Sequence, residues 1–169
     1  MCSVPPSGNA AMTKRFIRER FISCFKIING FVFKGVTKST SLARELFFDK
    51  DSISDSELRE IVKRFREDSV VGVDLVALKD MLPSLQWDDR KKAKWLSTVG
   101  ADVSSLPKRL VIGANDDYIV DAAGVQETAN YLGVDAVFVD CYHDVMLGAR
   151  AGEALGVLED WVGSLDVCV

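Results

Sequence analysis

The sequence has little of what metal and redox chemistry needs. It contains one histidine, His143, and its four cysteines, at positions 2, 24, 141 and 168, form no C-x-x-C pair. A lone imidazole and scattered thiols do not match zinc ligand spacings, so neither a metal nor a cofactor is expected. With no secretory signal in view, the thiols read as reduced cysteines of an intracellular, soluble protein. No run of about 18 apolar residues exists, the length a helix needs to span a bilayer. Internal repeats and low-complexity blocks are absent as well. Acids are scarce at the start of the chain. Residues 1–44 carry eight Lys or Arg against Glu19 alone, a local charge of +7, and the net charge of −4 leaves −11 to the remainder.

What is present is a chain of 169 residues, 48% of them hydrophobic, enough for one domain with a substantial core. Met1-Cys2-Ser3-Val4 reads as the tail of a strand, and Pro5-Pro6-Ser7-Gly8-Asn9 as turn chemistry. From Thr13 to about Phe33, Ile17, Phe21, Cys24, Ile28 and Phe31 recur at steps of four and three, which predicts one amphipathic helix. Lys14, Arg15, Arg18, Arg20 and Lys26 share it. A basic, acid-poor amphipathic start admits three readings: a domain helix with a solvated face, an organelle (mitochondrial or plastid) import sequence, or a helix lying on a membrane surface. Ser54-Asp55-Ser56-Glu57 fits a capping box opening a helix to about Glu67. Residues 74–81 suggest a short third helix ending before Leu82-Pro83. Gln86 to Ser105 interleaves Trp87 and Trp95 with charges of both signs. It is read as a solvated surface helix or linker rather than a nucleic-acid-binding surface.

After Pro107 the pattern changes. Leu110-Val111-Ile112 is a uniformly apolar run of the kind found in buried parallel strands. Residues 121–132 form a helix pattern, with Val125, Ala129 and Leu132 on one face and Gly133 placed to close it. Ala136 to Val139 is the next strand, and a last helix, about Arg150 to Val162, is expected to bury Ala154, Leu155, Leu158 and Trp161. Strand, helix, strand in this order suits a βαβ crossover in a parallel sheet. An acidic turn, Asp116-Asp117, follows the first strand, and His143 follows the second. Ligands of open α/β sheets gather beyond the carboxyl ends of the strands, so an acid and the lone imidazole are expected to meet at one sheet edge. A carboxylate on one imidazole nitrogen fixes the tautomer and frees the other nitrogen to accept a proton from a nucleophile.

The run Leu110-Val111-Ile112-Gly113-Ala114-Asn115-Asp116-Asp117-Tyr118-Ile119-Val120 resembles the α/β-hydrolase segment that carries the acid of a Ser-His-Asp triad. Cys141-Tyr142-His143-Asp144-Val145-Met146-Leu147 resembles the segment that carries its histidine. Aligning Ile119-Val120 with the family's D-x-I-V pattern puts the acid at Asp117 rather than Asp116. Cys2-Ser3-Val4-Pro5-Pro6-Ser7-Gly8 is similar to the strand end and loop that lead into the lid in a group of such proteins from plants.

The resemblance implies an α/β class with a partial α/β-hydrolase fold: a helical lid followed by a short parallel sheet of roughly three strands flanked by helices. Residues 1–8 would be the end of a core strand and loop, 9–106 the lid and linker, and 107–169 the C-terminal part of the core. It also implies ester-like or other acyl substrates, with Asp117 as orienting acid and His143 as general base. The family's nucleophile sits in a G-x-S-x-G elbow upstream of the lid, and no serine of this chain has glycines at both those positions. The oxyanion-hole loop has no counterpart either. The expectation is therefore a C-terminal portion that is inactive alone. Cys141, two residues from His143, and Ser3 and Ser7 are the substitute nucleophiles left open. The alternative is a non-catalytic variant that binds a protein partner or a second copy through an exposed strand edge.

Overall fold

The structure is a computed structural model and describes residues 6–68, 84–87, 93–96 and 107–165, with side chains for 12–68 and 107–165. It is mixed α/β. Four helices come first: α1 (Pro6–Glu19), α2 (Phe21–Phe31), α3 (Thr40–Phe47) and α4 (Asp55–Asp68), with a single 3₁₀ turn at Gly35–Thr37. An antiparallel pair follows, β1 (Ser84–Trp87) with β2 (Ala93–Leu96). The C-terminal part is β3 (Val111–Ala114), α5 (Ala122–Leu132), β4 (Ala136–Val139) and α6 (Ala151–Gly163). Among the described residues no helix is long and apolar enough to cross a membrane.

Where one helix is predicted between Thr13 and Phe33, there are two, and the first begins at Pro6 within the expected turn. Proline is well suited to a first helical turn, because its missing N–H has no partner to lose there. At Arg20 the backbone leaves the helical region (φ −139°, ψ 52°). The break costs little hydrogen bonding: Arg20 N–H donates to Phe16 O at 2.8 Å and Cys24 N–H to Arg20 O at 2.9 Å. It lets the two helices dock on different elements. Met12 of α1 joins the core around α5, and Ile27 of α2 joins the core around α3. The predicted stripe is split as a result. Cys24 is buried, whereas Ile17, Phe21, Ile28 and Phe31 face solvent.

Gly30 shows how closely α2 approaches α3. A Cβ there would lie 2.6 Å from Leu46 Cδ1 and 3.2 Å from Val36 Cγ1. Ser39 caps α3 through its Oγ, which accepts from Leu42 N–H. The capping box of α4 forms in both directions: Ser54 N–H donates to Glu57 Oε2 at 3.0 Å, and Glu57 N–H to Ser54 Oγ at 3.3 Å. Leu58 and Val62 of α4 close a core with Val36, Ala43, Leu46, Phe47 and Phe48.

The segment expected to be a surface helix or linker, from Gln86, instead holds the end of β1 and all of β2, with Leu85 opposite Trp95 and Trp87 opposite Ala93. Leu85 and Trp87, and Ala93 and Trp95, stand two residues apart, a strand signature that the interleaved charges hide. The expected strand tail at Met1–Val4 and the helix at 74–81 lie outside the described residues.

β3 and β4 pair in parallel, Val111 with Ala136 through Ala114 with Val139. Alternate residues serve two helix layers. Val111, Ala136 and Phe138 pack with Val125 and Ala129 of α5, while Ile112, Ala114 and Val139 pack with Cys141 and Ala154 of α6. Gly113 lets α5 sit close, since a Cβ there would come within 2.8 Å of both Val125 Cγ1 and Phe138 Cε1. Asp121 caps α5 by accepting from Gly124 N–H at 2.8 Å, and Gly133 closes it at φ 67°. In α6 only Ala154 is buried; Leu155 and Leu158, predicted to be core, are exposed, and Trp161 is half-buried. Among the described residues the parallel sheet has two strands, β3 and β4, and it meets this helix at Ala154.

Candidate functional site

The site is built where the parallel ladder ends. Past Ala114, Asn115 N–H donates to Val139 O at 2.9 Å and Asp116 N–H to Cys141 O at 3.2 Å, so the segments leaving both strands stay zipped together. The Asn115 amide also bonds the Asp140 carboxylate. The next residue, Asp117, is buried, while Asp116 is exposed. Asp117 Oδ1 accepts from the N–H groups of Ile119 at 2.7 Å and Val120 at 2.9 Å. This turn is closed by a side chain bonding its own backbone, a role for which aspartate is suited. It fixes the carboxylate and delivers the chain to Asp121, the cap of α5.

His143 lies in the loop after β4, and its Nδ1 sits 2.9 Å from Asp117 Oδ2 and 3.0 Å from Oδ1. Since a carboxylate only accepts, Nδ1 carries the proton and donates. The Asp117 side chain is 4% exposed and that of His143 22%. The carboxylate is thus sealed behind an imidazole that still reaches solvent, and among the described residues nothing hydrogen-bonds Nε2.

A third contact comes from the N-terminal helices. The Phe47 ring at the end of α3 lies 5.6 Å from the imidazole at 51°, and Phe47 O accepts from Asp144 N–H at 3.3 Å. Phe47 also touches Phe31, Phe48 and Phe65 at 5.3–6.2 Å. The histidine loop is therefore held from both sides, by the acid turn and by the helical core. Nothing in the sequence pattern pairs Phe47 with His143. Only the register of α3, with Ala43, Leu46 and Phe47 inward, identifies it as a core residue.

Two other carboxyls lie in the same segments. Burial pushes Asp144 above the usual carboxyl range, a rise only partly offset by the Met146 N–H and the His143 charge. Its Oδ1 has no partner among the described residues. For Asp121, burial acts to raise the carboxyl, but the hydrogen bonds from Arg15 and the Gly124 N–H and the charges of Arg15 and Arg20 outweigh it and hold it below its ordinary value. Arg15 grips Asp121 with two bonds, at 2.6 and 2.8 Å, and reaches Glu127 at 3.2 Å, tying α1 to α5.

Of the substitute nucleophiles, Cys141 is poorly placed. Cys141 is buried among Ala114, Val139 and Ala154, and burial, followed by the Glu153 charge, pushes its thiol up and away from the reactive thiolate. Ser7 falls within α1, and Ser3 lies outside the described residues. A cavity of about 30 Å³ adjoins the loop, lined by Phe47, Phe48, Tyr142 and Leu147 among others, room for about one water. Among the described residues no group of three His, Cys, Asp or Glu side chains could hold a metal. Compared with family models, curated proteins and solved structures, the chain gives no match.

Proposed function

We propose that Asp117 and His143 are the acid and base of a Ser-His-Asp hydrolase of the α/β-hydrolase kind, acting on ester-like or other acyl substrates. One observation carries the reading: a buried carboxylate, pinned by two backbone N–H groups, holds Nδ1 of an imidazole whose Nε2 has no hydrogen-bond partner among the described residues. In acyl transfer that nitrogen takes the proton of the attacking hydroxyl as its oxygen bonds the acyl carbon. It then returns the proton to the departing oxygen as the acyl–oxygen bond breaks. Asp117 orients the ring and stabilises the imidazolium between those events. In this reading α1–α4 belong to the lid, and β3, α5, β4 and α6 form the C-terminal part of the core.

The chain has no G-x-S-x-G serine. Losing the nucleophile costs on the order of 10⁶ in rate, so this polypeptide alone is expected to be inactive. A nucleophile and an oxyanion hole from another segment would complete it. Hydrolysis of p-nitrophenyl acetate and butyrate by the wild type and His143→Ala tests this. Equal background rates are expected, and turnover that disappears with His143 would overturn the claim of inactivity. The acid–base assignment is tested separately by the ring tautomer of His143.

A second reading is favoured by the width of the parallel sheet. With β3 and β4 alone among the described residues, strand edges are left that other chains could extend. The chain would then be a non-catalytic binder of a partner or of itself. Light scattering on the purified protein decides this: a monomer with a cooperative melt counts against self-pairing.

A further inference from the structure

Helix α2 is predominantly apolar: its polar side chains are Ser23, Lys26, which pairs with Glu45, and the exposed Asn29. Its inward face, Cys24, Ile27 and Gly30, packs on α3 and the 3₁₀ turn. Its outward face, Phe21, Ile22, Phe25 and Ile28, lies at one, four and seven residues from its start, the spacing of a single helical stripe. Together with Ile17 and Phe33 these side chains are 41–71% exposed. Among the described residues, α3 and the 3₁₀ turn cover the inward side of α2, and the outward stripe stays exposed. Scattered exposed apolar residues are ordinary on a protein surface, whereas a contiguous aromatic and aliphatic face marks a contact.

The charges around that face indicate what covers it. Glu19 is the only acid in α1 and α2, and it is paired with Arg18 at 2.7 Å. Lys14, Arg18 and Arg20 flank one end of the face and Lys38 follows the 3₁₀ turn, all of them exposed. Arg15 is turned away, onto Asp121 and Glu127. Glu19 and Glu45 pair with Arg18 and Lys26, and pressing two copies of the face together would still bring Lys14, Arg20 and Lys38 of each into apposition. A covering surface that is apolar within and negatively charged at its boundary suits both features.

We propose that the outer face of α2, with the basic end of α1, docks on an anionic phospholipid bilayer. The Phe and Ile side chains would enter the boundary of the acyl region, and Lys14, Arg18 and Arg20 would rest among the phosphates. This inference is independent of the acid–base reading, because none of its residues touches Asp117 or His143.

Vesicle co-sedimentation of the full chain tests it, with phosphatidylcholine vesicles against vesicles containing phosphatidylserine. Binding is expected only to the anionic vesicles, and it should weaken as salt is raised. Phe21→Ser with Ile22→Ser and Phe25→Ser should reduce it at least tenfold. Replacing Lys14, Arg18 and Arg20 by Gln should reduce it by roughly a hundredfold at low salt, about fivefold per cation. Because all six side chains point to solvent, circular dichroism should show both variants folded. Three results would overturn the proposal: no binding to anionic vesicles, binding indifferent to the apolar variant, or a concentration-dependent dimer that the apolar variant dissolves. The last would assign the face to a second copy, and capture of an acidic protein without vesicle binding would assign it to a protein partner.

Discussion

Asp117→Asn is the most informative single change, because it preserves shape while removing charge. The Asn carbonyl oxygen can keep the Ile119 and Val120 N–H bonds, now 2.7 and 2.9 Å, so the turn should persist. The amide NH₂ then occupies the Oδ2 position, 2.9 Å from Nδ1. The carbonyl oxygen, 3.0 Å from Nδ1, is already taken by two backbone N–H groups, so the new donor favours the tautomer in which Nδ1 accepts. The imidazole changes tautomer, and Nε2 becomes the protonated nitrogen. A hydrogen bond to a charged group is worth about 1.5–3 kcal/mol and a neutral one about 1 kcal/mol. The difference predicts a loss of about 0.5–2 kcal/mol. For a chain of 169 residues that is roughly 1–8 °C in Tm. His143 is the only histidine, so ¹⁵N-labelled protein yields one pair of ring nitrogen signals without assignment work. The wild type should show a protonated Nδ1 and a bare Nε2, the variant the reverse, with calorimetry recording the change in Tm. The same ring nitrogen pattern in both proteins with an unchanged Tm would refute the paired geometry and the acid–base assignment with it.

Other perturbations reach different parts of the argument. Arg15→Gln should destabilise the fold by about 1–2 kcal/mol, as expected for a partly buried charged hydrogen bond. The sign with pH follows from Asp121. A carboxyl held low in the fold contributes stability above its unfolded value, about 3.9, and loses it as pH falls through the lower folded value. Without Arg15 the folded value rises, so acid unfolding followed by circular dichroism should begin at higher pH than in wild type. Gly113→Ala should cost about 1–3 kcal/mol by forcing Val125 and Phe138 apart, measured as a lower urea midpoint. Phe47→Ala should cost about 3–5 kcal/mol and Phe47→Leu about 1–2 kcal/mol, from ring contacts worth roughly 0.5–1.5 kcal/mol beyond area. In Phe47→Leu the tautomer should hold, because Asp117 sets it, while the ring signals broaden. Cys141 should resist iodoacetamide in the native protein and react once unfolded, as read by peptide mass mapping.

Much of the C-terminal fold is legible in the sequence because its signals are local. Ala136-Val137-Phe138-Val139 forms β4 as bounded, α5 is framed by Asp121 and Gly133, and α4 by its capping box. The nearness of Asp117 and His143 is legible too, since two parallel strands deliver the residues after their ends to one edge. Other features depend on contacts between distant segments. The apolar stripe from Ile17 to Phe31 is continuous in sequence, and only the separate docking of α1 on α5 and α2 on α3 breaks it at Arg20. Leu155 and Leu158 have core character, but among the described residues the parallel sheet meets α6 at Ala154 and leaves them exposed. Trp87 and Trp95 each stand two residues from an apolar neighbour, a spacing that the surrounding charges obscure. Phe47 comes far upstream of His143, and no periodicity relates them.

The double grip on His143 has a consequence for the order of assembly. Asp117 is 26 residues away, within a βαβ unit whose loop closure is short. Phe47 arrives from the other end of the chain, and bringing it in closes a much longer loop. During refolding the imidazole should meet its carboxylate first and its aromatic wall afterwards, when the helices dock. A half-made or clipped copy would carry a histidine without its aromatic wall, so the imidazole is held from both sides only once the helices have docked.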